Sequence, residues 1–180
     1  MTPQPPDGPS LRPLAVEDAD ELHALVDANR SHLLPWMPWA GQERAGTVEF
    51  LDAAVVQAAT GDGAQYAVVD GGRIAGTVGF HRVDWRNAAG SIGYWLGADA
   101  QGRGLMTRSV AACLDHAFDA WDLHRVEIRA APHNTRSRAV PERLGFVQEG
   151  VLREAERHAD RFGDLVVYGM LATDWRARPR

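Results

Sequence analysis

The sequence predicts a mixed α+β domain, and three observations carry the prediction. Three strand-like runs joined by short polar turns fill residues 65–96, the apolar period lengthens to that of a helix after Gly104, and a strand–helix–strand unit follows. At 180 residues, with 45% apolar and 24% charged side chains, the chain has ordinary globular composition and the length of one domain.

Leu11–Leu14 reads as a first short strand, and Leu22, Leu25 and Val26 then repeat at helical spacing up to Asn29. Residues 32–40 are mostly apolar, but Pro35 and Pro38 forbid a continuous helix there. A helix over Val48–Ala59, with Thr47 as its N-cap, stops at Gly61-Asp62-Gly63. Gln65–Val69, Arg73–Val83 and Ala88–Leu96 form an antiparallel meander whose first turn is Asp70-Gly71-Gly72. Val110, Leu114, Ala117, Phe118 and Trp121 mark one face of a helix from about Arg103 to Ala120. Arg125–Ala131 alternates Val126, Ile128 and Ala130 with charged residues, the pattern of a half-buried strand. A short helix ends at Leu144-Gly145; Pro141 lacks an N–H, which places its start near Ser137 or in an irregular first turn. Phe146–Glu154 and Leu165–Leu171 are the last strands, with their turn near Phe162-Gly163-Asp164.

Nineteen basic against twenty-four acidic residues leave a net charge of −5, which argues against a general nucleic-acid binder. The single Cys113 cannot close an internal disulfide, and the seven histidines show no ligand spacing, so no metal is expected. No uncharged apolar run approaches the ~18 residues that cross a membrane. Residues 1–9 contain four prolines and read as a solvated tail rather than a signal peptide. Residues 176–180 read as a basic C-terminal tail, which leaves 10–175 as the domain. A reducing cytoplasm is the compartment that fits.

The segment that joins the third meander strand to the longest helix carries the clearest chemistry. In Ala100-Gln101-Gly102-Arg103-Gly104-Leu105-Met106-Thr107, two glycines let backbone N–H groups converge just before a helix N-terminus. The first four helix amides have no internal partner and the helix dipole is positive there, so the place suits a pyrophosphate, with Arg103 as a charged donor. The plain alternative is a tight turn with no ligand. Thr107 stands where a dinucleotide fingerprint needs its third glycine, and no Gly-Lys-Ser/Thr of a P-loop occurs.

Gln101-Gly102-Arg103-Gly104-Leu105-Met106-Thr107 resembles the Gln/Arg-x-x-Gly-x-Gly/Ala theme of the GNAT N-acetyltransferases. The ordered neighbours Ile92-Gly93-Tyr94-Trp95-Leu96, Arg125–Arg129, Asn134–Phe146, Glu149–Arg153 and Val167–Leu171 are similar to the ribosomal-protein alanine/serine (RimJ/RimL-type) branch. The likeness spans residues 10 to 175. It implies the GNAT fold, a mostly antiparallel sheet of about seven strands flanked by about four helices. It also implies acetyl-CoA as donor, a primary amine as acceptor and direct transfer in a ternary complex, and it raises the expectation of a homodimer.

The same resemblance distributes roles among residues. Residues 101–107 would hold the pyrophosphate, Asn134 the pantetheine arm, and Arg138 would lie with the cofactor. Backbone amides around Trp95, Leu96 and Gly97 would hold the thioester oxygen where the strands splay. Glu156 matches the branch's base, against a solvated strand-end acid; Glu127, mid-strand, is the rival base, against an ordinary ion pair. Ser137 matches the acid that protonates the leaving thiolate, against a simple helix cap. Trp36 and Trp39 would wall the acceptor, against core packing, and His32 beside them reads as a surface residue. Cys113 falls on the apolar helix face and reads as a core thiol, not a nucleophile. The favoured acceptor is a protein N-terminal amine. A small-molecule amine (an antibiotic, a polyamine or an aminoacyl conjugate) and a non-catalytic coenzyme A sensor are the alternatives.

Overall fold

A computed structural model describes residues 9–158 and 161–178. Seven strands form one sheet in the order β1-β2-β3-β4-β5-β7-β6. They are β1 (Ser10–Pro13), β2 (Ala64–Asp70), β3 (Arg73–Asp84), β4 (Ala89–Leu96), β5 (Arg125–Ala130), β6 (Val147–Arg157) and β7 (Phe162–Leu171). All neighbours are antiparallel except β4 and β5, the pair connected through a helix. The helices are α1 (Ala19–Ala28), α2 (Arg30–Leu33), α3 (Arg44–Thr60), α4 (Leu105–Asp115), α5 (Thr135–Arg143) and α6 (Ala172–Arg176), two more than expected because α2 and α6 are single turns.

Alternation along the strands divides the core between the two sheet faces. Tyr66, Val68, Val78, Phe80, Ile92 and Ile128 pack with Val110, Cys113, Leu114 and Phe118 of the α4 region. Ala67, Ile74 and Trp95 face the other way, onto Leu22 and Val26 of α1 and Leu51 of α3. Cys113 is fully buried and its thiol pKa is pushed up by that burial, which agrees with a core role.

Several boundaries differ from the sequence reading, each for a local reason. Helix α3 begins at Arg44 because its first turn is polar and carries no apolar period; Thr47 lies inside it and meets His23 Nδ1 through Oγ1 at 3.2 Å. Helix α4 begins only at Leu105, since Gly104 is left-handed, and it widens into a π turn over His116–Ala120. Helix α5 begins at Thr135, where Asn134 Oδ1 accepts from the Ser137 amide at 3.1 Å; Ser137 is therefore not its cap. Phe162-Gly163-Asp164 is not the turn but the start of β7, with Gly163 opposite Glu156 and Phe162 opposite Arg157. The C-terminal tail is docked as far as it is described. Arg176 Nη2 donates to the Phe118 carbonyl and Arg178 Nη2 to that of Arg143, while the rest of that tail and residues 1–8 lie outside the described residues.

Candidate active site

Parallel pairing of β4 with β5 stops at Ile92–Ile128. From Tyr94 to Leu96 β4 therefore opens onto a cleft of about 990 Å³, at the upper end of small-molecule sites, which run from about 300 to 1,000 Å³. Trp95 and Leu96 line it. The amide of Gly97 donates to the Ala75 carbonyl at 2.9 Å, and by strand alternation that of Trp95, opposite Thr77, faces β3 as well, which leaves Leu96 for the expected amide role.

The loop after β4 forms one end of the cleft. Gly102 and Gly104 take φ of 75° and 73°, the left-handed region where a side chain is strained. Their turn delivers the chain into α4 with Leu105, Met106 and Thr107 lining the cleft. Among the described residues no side chain caps this helix, so its first amides are free for a ligand.

Helix α5 supplies the opposite wall and the charge. Arg136, Ala139, Val140 and Arg143 follow the i, i+3, i+4, i+7 spacing of one helix face, and all four line the cleft. None of the described lining residues is acidic, so the potential there favours an anion. Arg143 donates to Thr107 Oγ1 at 3.1 Å, tying the wall to the first turn of α4. Gln101 ties it to the segment after α1: Oε1 accepts from Arg136 Nη1 at 2.8 Å, and Nε2 lies 2.7 Å from Nε2 of His32. His32 is thus half-buried in the cleft wall rather than a surface residue.

Two expected cofactor residues point elsewhere. Arg103 reaches back to Asp70 Oδ2 at 2.5 Å. Arg138, on the far face of α5, donates to Tyr168 Oη at 2.7 Å and to the Pro132 carbonyl at 3.0 Å. Neither lines the cleft. Asn134 does; its Oδ1 caps α5, and among the described residues none engages Nδ2.

A second cavity of about 200 Å³ opens from the first, and Trp36, Met37, Tyr94, Asn134 and Ser137 line both. Trp39 completes its aromatic wall, 39% exposed and 5.9 Å from the ring of Trp95. The two tryptophans are thus cavity wall, while Trp95 is core. Glu156 enters from β6, where the register shifts between Leu152 and Glu156 and Glu154 takes φ of 52°. Such a bulge re-aims the residues beyond it. His158 Nε2 lies 3.5 Å from Glu156 Oε2. Glu127 is outside the cavity, held by Arg129 at 2.5 Å and Arg125 at 3.3 Å.

The site brings Ser137 and Glu156 to one cavity and the loop over residues 101–107 to the adjoining one. The sequence reading missed Arg136, Arg143, Tyr94 and His81. For the first two the i, i+7 spacing on the face shared with Val140 was an available signal; the others needed the strand register. An uncapped helix mouth, a left-handed glycine loop and two arginines fit a diphosphate, and Ser137 lies on the wall shared by the two cavities. Among the described residues no cluster of His, Cys, Asp and Glu has the make-up of a metal site.

Comparison with known proteins gives the same reading. The Acetyltransferase (GNAT) domain model matches residues 10–147. The putative ribosomal N-acetyltransferase YdaF of Bacillus subtilis is 31% identical over 171 residues, 92% of each chain. RimL, a ribosomal L7/L12 α-N-protein acetyltransferase in complex with coenzyme A, superposes with a TM-score of 0.90 at 25% identity, over 97% of this chain and 99% of its own. The microcin C7 self-immunity acetyltransferase MccE, in complex with acetyl-CoA and AMP, gives 0.89 at 28% identity, over 95% and 98%. With that loop, that charge and those relatives, the chain belongs to the GNAT family and is an acetyl-CoA-dependent N-acetyltransferase.

Proposed function

We propose that the acceptor is a protein N-terminal α-amine of the ribosomal serine/alanine type, with Glu156 as proton acceptor and Ser137 as proton donor. The observation that carries this is the shared wall: Ser137 borders both cavities, and Glu156 lies in the smaller, tryptophan-walled one. An α-amine has a pKa of about 8, so roughly a tenth is neutral at pH 7 and a carboxylate acting through water suffices. Acetyl-CoA supplies the thioester. The amine nitrogen bonds to the carbonyl carbon, its proton passes to Glu156, the C–S bond breaks, and the Ser137 hydroxyl protonates the departing sulfur and is itself reprotonated from solvent. The β5-facing amide of Leu96, beyond the end of the β4–β5 pairing, supports the thioester oxygen. The likeness to YdaF and RimL supports the acceptor class.

A cytoplasmic home and a homodimer belong to the same reading. The single buried cysteine suits a reducing compartment, and edge strand β6 presents exposed Val147, Val151 and Leu152. Among the described residues no helix is long and apolar enough to cross a membrane.

The test is mass spectrometry of serine- and alanine-terminated peptides incubated with enzyme and acetyl-CoA. All nineteen basic residues of the chain are arginine, so acetylation of its own lysines gives no background. Ser137→Ala and Glu156→Gln are expected to lower turnover and leave coenzyme A binding intact; unchanged rates in both would remove their roles. A small-molecule acceptor is the second reading, favoured by the likeness to MccE. Inert peptides together with acetylated aminoacyl conjugates would establish it instead.

A further inference from the structure

His81 is the odd residue of a β-bulge. On β3, Phe80 pairs with Ile92 and Arg82 with Ser91, which leaves His81 without an opposite number. Its ring lies over Gly93 of β4, where any Cβ would overlap Nε2. Beside it the carboxamide of Gln65 lies over Gly79, which pairs with Gly93, and a Cβ at Gly79 would overlap Oε1. Two facing glycines thus let a carboxamide and an imidazole lie flat across neighbouring strands. Both His81 and Gly93 line the acceptor cavity with Glu156, Ser137, Trp36 and Trp39.

The proton on the ring can be placed. Buried Gln65 points Nε2 at the Phe80 carbonyl, 3.2 Å away, and a carbonyl only accepts. Its second hydrogen serves Gln57 Oε1 at 3.3 Å; the nitrogen itself lies 3.5 Å from Nδ1 of His81 and, as an amide nitrogen, accepts nothing, so a hydrogen on Nδ1 would meet no acceptor there and Nε2 is the side that carries it. Gln57 Nε2 donates to the His81 carbonyl at 2.6 Å and fixes the bulge. One edge of the ring stays accessible while the sheet crowds the rest, and that crowding lowers the imidazole pKa, so the ring is neutral at pH 7. A neutral imidazole with its proton on Nε2 offers the cavity one hydrogen-bond donor.

We propose that His81 is a specificity residue, its Nε2–H donating to the carbonyl oxygen of the acceptor's first residue and so selecting an amine that carries a carbonyl one carbon away. This rests on the α-amine reading above. The test measures steady-state KM and kcat for an alanine-terminated peptide, and KM for acetyl-CoA, in the parent and in His81→Phe, His81→Asn and Gly93→Ala. His81→Phe keeps a flat ring without a donor, and is expected to raise the peptide KM about tenfold, the loss of one hydrogen bond, with kcat and the acetyl-CoA KM unchanged. His81→Asn retains an N–H and is expected to recover most of that loss, whereas Gly93→Ala, which displaces the ring, is expected to match His81→Phe. An unaltered peptide KM in His81→Phe would overturn the proposal. So would a fall in kcat accompanied by loss of the acidic limb of its pH profile, which would make His81 a proton acceptor. An active parent with those results leaves the α-amine reading standing; a parent that acetylates no peptide overturns both.

Discussion

The hydroxyl of Tyr94 donates to the backbone carbonyl of Ser137 across 2.8 Å. In an uninterrupted helix that carbonyl would accept from the amide four residues on, but that residue is Pro141, which has none. Strand β4 thus supplies the bond that α5 cannot make for itself, and pins the turn carrying Ser137 against the sheet. The acceptor that Pro141 leaves without its helix amide thus has a partner.

Replacing Tyr94 with Phe is therefore expected to cost about 1 kcal/mol, the net worth of one part-buried hydrogen bond. Urea unfolding measures it. In a Pro141→Ala background the helix regains an amide at that position, so the same Tyr94→Phe change is expected to cost distinctly less. Equal costs in the two backgrounds would show that Pro141 is not the reason for the contact.

The arginines divide by helix face. Arg136→Ala and Arg143→Ala are each expected to weaken coenzyme A binding about tenfold or more in a calorimetric titration, the loss of a hydrogen bond to a charged group, and to flatten its salt dependence. Arg138→Ala is expected to leave binding unchanged and to lower stability, because it removes the donors to Tyr168 and the Pro132 carbonyl. Arg103→Ala, which breaks the pair with Asp70, is expected to change neither by much.

How legible the site was follows from the reach of each signal. The loop from Gln101 to Thr107 and the apolar face of α4 are local, and both could be read from spacing within one segment. Arg103 and Arg138 misled because a charge beside a motif carries no direction until the helix register is known; Arg138 is two residues from Arg136, about 200° around the helix, and lands on the far side. Tyr94 and His81 were illegible for a different reason. Their roles depend on Pro141 and Gly93, partners that sequence proximity does not reveal for a bulge or a strand-to-helix contact. Glu156 was found by resemblance, since nothing local distinguishes it from Glu154.

Acid is expected to unfold the protein in two stages. His116 is 7% exposed, its ring 4.8 Å from that of Trp121, and burial lowers its pKa; His81 shifts the same way. With folded values below the unfolded ~6.5, the unfolded chain takes up protons first, so stability is complete above about pH 6.5 and declines beneath it. Asp18 is also lowered, chiefly by Arg12, whose two guanidinium nitrogens reach it at 2.7 Å each. Its contribution is present above an unfolded pKa near 3.9 and is lost as the pH falls through the folded value. Melting temperatures from pH 8 to 3 check this: His116→Phe should shrink the first stage and Asp18→Asn the second.

Asp164 holds the backbone of the bulge that aims Glu156, and removing that hold tests whether aim matters. Asp164 Oδ1 accepts from the Glu154 amide at 2.8 Å, holding Glu154 at φ of 52°, where a side chain costs roughly 1–2 kcal/mol. Asp164→Ala leaves that strain without its compensating bond, so β6 is expected to relax toward regular pairing and carry Glu156 off its line into the cavity. Turnover of an alanine-terminated peptide should fall roughly tenfold, within the ~100-fold that a 1 Å misplacement can cost, while coenzyme A binding stays as it was. Glycine occupies positive φ without strain, so adding Glu154→Gly to Asp164→Ala should restore the bulge and part of the rate. Recovery in the double variant would tie the loss to backbone shape, because Asp164 itself remains absent.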